Sequence, residues 1–231
     1  MGEHRLKTCS KPVLESFAGR LCALALILVA VGFGVSVAAT AGVKMQLITV
    51  APDGGGFVER DSGRPYVVFG TNYYDPNTGW APKLWRRFDE EKVRLHFEVM
   101  GRLGVNCARV FLTAGSFQPR PDAVEVEALK KLDKLVAMAG RAGIRLILTG
   151  PDHWEGSPAY WRPDRFAGPD ALGALENFWQ VVGARYRGEP AIFAWDLLNE
   201  PHMPWFIEQW RGRWNSWLKS KYGGWDRLKA A

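Results

Sequence analysis

Residues 194–205 read AWDLLNEPHMPW, an apolar run that ends in Asn199-Glu200-Pro201 and is followed at once by His202 and Trp205. A residue before proline is pushed away from helical backbone by the pyrrolidine ring, so the pattern predicts an extended backbone and a stiffly held Glu200 side chain. A rigid carboxyl beside the Asn199 carboxamide suits glycoside hydrolysis. The acid protonates the leaving oxygen, and the amide hydrogen-bonds a sugar hydroxyl next to the reacting carbon. A Glu that only caps a helix starting near Pro204 accounts for the tripeptide equally well.

Similar groups follow other apolar runs. Asn72, Tyr73 and Tyr74, then Trp80 and Trp85, come after PYVVFG; Asp152, His153 and Trp154, then Tyr160 and Trp161, come after RLILTG. Hydroxyl groups of a sugar need polar partners and its C–H faces stack on flat rings, so Trp154, Trp161 and Trp205 are stacking candidates. Packing alone explains each of them as well. His153 reads equally as a plain loop residue.

The elements that must carry these residues repeat one theme. PYVVFG (65–70), CARVFLT (107–113), RLILTG (145–150) and AIFAWDLL (191–198) are apolar along their length, as strands covered on both faces are. Between them, DEEKVRLHFEVMGRLG places Val93, Phe97, Met100 and Leu103 on one helical stripe that stops at Gly104. DAVEVEALKKLDKLVAMAG places Leu129, Leu132, Leu135, Val136 and Ala139 together, with Asp122 and Glu125 as a capping-box start. DALGALENFWQVVGARYRG places Leu172, Leu175, Trp179, Val182 and Tyr186 together, and FIEQWRGRWNSWLKSKYGG supplies a last helix. Trp179 and Trp195, within regular elements, read as core, and Asp196 reads as an anchor inside the sheet. The alternation predicts an α/β fold of the (β/α)8 TIM-barrel type, of which four β/α units are present. In such a fold the strands' C-terminal ends carry the ligand site, which puts the residues above on one rim.

Four segments resemble the cellulase-like superfamily of retaining glycoside hydrolases, family five in particular. RPYVVFGTNYY is similar to the family's first strand, GVNCARVF to its second with a G-x-N-x-x-R pattern, and AWDLLNEP to its fourth. WNSWLKSKYGGWDRLKAA resembles the helical segment that follows in mannanase- and galactosidase-like members. The resemblance spans about residues 57–231. It implies Glu200 as general acid/base, Asn199 as its sugar-binding neighbour, and Arg109 as the arginine that supports the nucleophile's carboxylate. A structural ion pair with Asp196 is the other reading of Arg109. LTGPDHW departs from the family's usual wording around a histidine, which leaves His153 without firm support from the resemblance.

Retention requires a second carboxylate about 5–5.5 Å from the first. The resemblance assigns it to a seventh strand, and no Glu in residues 42–231 matches its motif. The expectation is a truncated barrel, the N-terminal half of an exported hydrolase of β-linked glycans such as mannan or cellulose. The alternative is a catalytically inactive, membrane-anchored carbohydrate-binding or interaction protein.

Composition agrees with a globular domain: 231 residues, 47% hydrophobic, with 11 Trp. The net charge of +6 includes no Lys/Arg block with interleaved aromatics, so no nucleic-acid partner is expected. The expected partner is an oligosaccharide or polysaccharide. Neither CxxC nor HExxH occurs, and no metal or other cofactor is expected. Residues 1–41 combine a basic leader, an uncharged stretch from Leu21 to Val43 and an A-x-A pattern at Ala39 and Ala41. They read as a signal peptide or an uncleaved membrane anchor through residues 21–43, preceding a barrel domain at 42–231. Either reading places the domain outside the cytoplasm.

Overall fold

The computed structural model describes residues 45–77, 79–152, 156–161, 169–200 and 208–231. The N-terminal apolar segment therefore lies outside the described residues, as do His153, Trp154, His202 and Trp205. No described helix is long and apolar enough to cross a membrane.

Six strands and seven α-helices are described: β1 (Ile48–Val50), β2 (Phe57–Glu59), β3 (Gly70–Tyr73), α1 (Ala81–Arg86), α2 (Glu90–Arg102), β4 (Cys107–Thr113), α3 (Ala114–Phe117), α4 (Val126–Arg141), β5 (Arg145–Asp152), α5 (Pro169–Tyr186), β6 (Ile192–Asp196), α6 (Glu208–Tyr222) and α7 (Trp225–Ala230). β1 and β2 form an antiparallel hairpin, and β3-β4-β5-β6 form a parallel sheet in chain order.

One face of that sheet carries the core. Ala108, Val110 and Leu112 of β4 and Leu146 and Leu148 of β5 are buried with Val93 and Phe97 of α2, Leu132 and Leu135 of α4, and Phe178 and Val182 of α5. Each fully buried Leu contributes roughly 1.5–3 kcal/mol. The stripe expected on α4 is buried in full. Asp89 caps α2, its side chain accepting from the Lys92 amide at 3.1 Å. The opposite parity of β4, β5 and β6 points Arg109, Phe111, Thr149 and Asp196 to the other face of the sheet.

Beneath that second face lies the β1–β2 hairpin. The rings of Phe57 and Tyr66 meet Phe193 edge-on at 4.9 and 5.3 Å. Buried Arg145, at the start of β5, reaches Glu59 at 3.5 Å and donates to the Gln46 carbonyl at 2.9 Å. The hairpin is thus tied to the N-terminal ends of the parallel strands.

Several expectations are corrected. The first parallel strand is Gly70–Tyr73 rather than 65–70, and Val67, Val68 and Phe69 are exposed. The run before Gly70 is held instead by the Asn106 side chain, which accepts from the Phe69 amide at 2.8 Å and donates to the Val67 carbonyl at 2.7 Å. The Asp122/Glu125 capping box is not made: α4 starts at Val126, and Glu125 caps it without a side-chain hydrogen bond. On α5 Val182 and Tyr186 are buried as expected, but in its first turns Ala171, Ala174 and Phe178 are buried in place of Leu172, Leu175 and Trp179, of which Leu175 and Trp179 are partly buried. The two alanines allow close packing, while the larger side chains line an open groove with Leu197. Trp195 pairs with Leu148 on the core-facing side but is exposed, because no strand flanks the outer edge of β6 among the described residues.

Candidate active site

The strand β6 carries one extra residue. Leu146 pairs with Ile192, but Ile147 pairs with Ala194, so Phe193 bulges out of the ladder. A one-residue shift exchanges the two faces of a strand. Without the bulge Asp196 would point into the helix-covered core; with it, Asp196 shares a level with Thr149 and Phe111 on the second face.

That placement completes a polar chain. Arg109 on β4 reaches past β5 to Asp196, its Nε donating to Oδ2 at 3.0 Å and its Nη2 donating to the same oxygen. Thr149 Oγ1 donates to Oδ2 at 3.0 Å. Arg109 Nη2 also donates to Asn199 Oδ1 at 2.9 Å. The guanidinium carbon lies 4.5 Å from the centroid of the Phe111 ring, which adds a cation–π contact. Asn199 is buried at 5% relative exposure, whereas Glu200 beside it is exposed.

The Glu200 backbone is not extended. Its φ is +44°, which makes it the one non-glycine residue with positive φ among those described. Proline disfavours right-handed helical backbone before it but does not exclude this left-handed conformation, and the expectation of an extended Glu200 is wrong for that reason. Such conformations cost about 1–3 kcal/mol and concentrate at functional sites. Glu200 is thus an exposed residue four positions beyond the end of β6, next to a buried Asn199 held by Arg109.

The remaining expected site residues fall into three sets. Asn72 lies within β3 rather than beyond it, exposed and in register with Arg109, and so on the same face. Tyr74 follows at the end of β3 and is 41% exposed. Trp80 is partly exposed, but Trp85 is core: it is 1% exposed and its Nε1 donates to the Phe111 carbonyl at 2.7 Å. Trp161 is buried against Ala114 and Ala171, so it packs and does not present a stacking face. The Tyr160 hydroxyl donates to the Gln118 carbonyl at 2.5 Å, and burial pushes that phenol up to about 12. His153, Trp154 and Trp205 lie outside the described residues.

Thr149 was not singled out in the sequence. Its signal was a lone hydroxyl in an apolar strand, but only the register with Asp196 gives it a partner. Asn106 was legible as part of the G-x-N-x-x-R pattern, and its clamp on residues 67–69 was not.

The family model for cellulase (glycosyl hydrolase family 5) matches residues 69–222, and the chain belongs to that family. It is 28% identical over 195 residues to a probable mannan endo-1,4-β-mannosidase A-1 of Aspergillus terreus, covering 72% of this chain and 50% of the relative. It is 28% identical over 171 residues to mannan endo-1,4-β-mannosidase 7 of Oryza sativa subsp. japonica, covering 62% of this chain and 43% of the relative. The chain thus spans about half the length of the curated relatives it matches. Among solved structures, an exo-β-1,4-mannosidase from Opitutaceae bacterium strain TAV5 aligns with TM-score 0.54 at 22% identity, covering 61% of this chain and 26% of that one. A family 5 mannosidase from Rhizomucor miehei aligns with TM-score 0.50 at 18% identity, covering 77% and 54%. The parallel sheet and its helices are those of the (β/α)8 barrel fold that this family implies.

Proposed function

We propose that the protein is an exported retaining glycoside hydrolase of β-linked glycans, with β-1,4-mannan as the leading substrate class and Glu200 as general acid/base. The observation that carries the reading is the Arg109–Asn199–Glu200 arrangement: a guanidinium bonded to a buried carboxamide, beside an exposed glutamate just past the end of a parallel strand. Family membership and the mannan-cleaving relatives support the reaction class and the substrate. The uncharged stretch from Leu21 to Val43 supports export.

In this reading Glu200 gives its proton to the glycosidic oxygen as the C1–O bond breaks, while a second carboxylate attacks C1 and forms a glycosyl ester. Glu200, now ionised, takes a proton from water, which attacks C1 and releases the ester. In the family pattern the second carboxylate belongs to a seventh strand, whereas β6 is the fourth of the parallel strands here. Asn199 hydrogen-bonds the hydroxyl next to C1, and exposed Tyr74 and Asn72 offer a ring face and a polar partner on the same side of the site.

The test is turnover by the full-length protein of β-1,4-linked manno-, cello- and galacto-oligosaccharides of equal length, with the anomer of the first product read by NMR. Cleavage of the manno series with retained β configuration is expected. Inverted product would contradict the mechanism, and oligosaccharide binding without any cleavage would favour a binding protein instead.

A further inference from the structure

We infer that Asp196 is a positioning residue, which acts through Arg109 to fix which end of the Asn199 carboxamide meets the sugar. The inference rests on the proposed function only in taking a glycan to occupy the rim.

A guanidinium has donors and no acceptor, so a carboxamide that faces it must present its oxygen. Arg109 Nη2 donates to Asn199 Oδ1 at 2.9 Å, and the amide's NH2 end is therefore the one left to face away from the guanidinium. Turning the amide over would set an N–H against an N–H. Next to Glu200 the site thus offers a hydrogen-bond donor and asks for an acceptor atom, such as a hydroxyl oxygen, at that point of the ligand.

The direction holds only while the guanidinium is held. Asp196 does this with one oxygen, Oδ2, which accepts from Arg109 Nε, Arg109 Nη2 and Thr149 Oγ1. Thr149 is fully buried, so the anchor itself has little freedom. Two bonds from adjacent guanidinium nitrogens fix the plane of the group, which a single bond would not. The bulge at Phe193 is what brings Asp196 to this face, so the local irregularity of β6 and the polarity of Asn199 are parts of one arrangement.

The experiment compares the full-length protein with Asp196→Ala and Asp196→Asn variants by two readouts. The first is the Arg109 Nε–H and Asn199 side-chain amide resonances, observed in the absence of any sugar. In the wild type the Nε–H should exchange slowly. In Asp196→Ala it should be lost to fast exchange and the Asn199 amide signals should shift, while backbone resonances of β4 and β5 stay in place. The second readout is steady-state turnover of a β-1,4-manno-oligosaccharide. Asp196→Ala should lower kcat by about 10²-fold through misplacement of the amide, with KM changed far less. Asp196→Asn, which keeps an acceptor oxygen, should recover part of the loss. Unchanged Asn199 resonances in Asp196→Ala would overturn the inference whether or not the protein cleaves a glycan. Wild-type kcat in that variant would overturn it too. A wild type that cleaves no β-glycan would instead defeat the proposed function and leave the resonance test standing.

Discussion

Asn106 grips a segment of chain that lies far from it in sequence: its Oδ1 accepts from the Phe69 amide at 2.8 Å and its Nδ2 donates to the Val67 carbonyl at 2.7 Å. The Asn106 carbonyl also accepts from the Tyr66 hydroxyl at 2.9 Å. One side chain thus does for residues 67–69 what a strand ladder would do, and the ladder takes over at Gly70, which pairs with Cys107.

Asn106→Ala should therefore free the approach to β3. Two hydrogen bonds at about 1 kcal/mol each set the expected loss of stability near 2 kcal/mol. Hydrogen exchange at the Phe69 amide should accelerate while the amides of β4 remain protected. Unchanged exchange at Phe69 would mean that the clamp does not hold the segment.

The β1–β2 hairpin is fastened by charge. Glu59 accepts from Arg64 at 2.6 and 3.1 Å and from Ser62 at 3.0 Å, and it neighbours buried Arg145 at 3.5 Å. The Arg64 hydrogen bond, with help from Ser62 and Arg145, holds the Glu59 carboxyl below the usual carboxylate range. A depressed carboxyl stabilises the fold above its unfolded value of about 4.3 and loses that contribution as pH falls through the lower folded value. Glu59→Gln should cost about 3 kcal/mol at neutral pH, since it leaves Arg145 buried without its counter-charge. The variant should also lose less stability between pH 7 and pH 3 than the wild type. Urea midpoints at the two pH values decide this, and equal losses would contradict it.

Gly115, in α3, is pressed against the loop that follows β5. A Cβ there would stand 2.2 Å from the Gly156 carbonyl oxygen, a backbone atom that cannot rotate away. Gly115→Ala should destabilise by roughly 1–3 kcal/mol and loosen the turn that leads to buried Trp161. Hydrogen exchange at the Trp161 amide, which donates to the Pro158 carbonyl at 3.1 Å, reports the turn directly. A variant as stable as the wild type would show that the loop can move aside at no cost.

Trp85 joins α1 to β4 through a buried hydrogen bond to the Phe111 carbonyl. Trp85→Phe keeps most of the ring and removes the donor, which should cost about 1 kcal/mol, the usual net contribution of one hydrogen bond. Thermal unfolding of the two proteins measures it, and no loss would mean that another donor reaches that carbonyl.

Much of this architecture was readable in the sequence wherever burial on both faces made the signal. CARVFLT is β4 to the residue, and the Leu129–Ala139 stripe is the buried face of α4. The reading failed where one side chain overrode a pattern. Asn106 displaced the start of the first parallel strand, and in the first turns of α5 Ala171 and Ala174 are buried where Leu172 and Leu175 are expected. In the site, Asn199 and Glu200 stand out by residue type and order and Arg109 by the family resemblance, and the pair with Asp196 is the alternative reading of Arg109 rather than the one the resemblance implies. The bulge at Phe193 was not legible, because a parallel register depends on strands far apart in the chain. Nor was the positive φ of Glu200, since the proline after it restricts the backbone without choosing that conformation.

Leaving-group dependence tests most directly whether Glu200 supplies the proton to the leaving group. In full-length protein, Glu200→Ala should slow cleavage of a natural β-1,4-manno-oligosaccharide by about 10²–10⁴-fold. The burst of dinitrophenol from a dinitrophenyl β-manno-oligosaccharide, whose leaving group needs no proton, should stay close to the wild-type rate. Equal losses on the two substrates, or no loss on the natural one, would contradict the assignment of Glu200 as the acid.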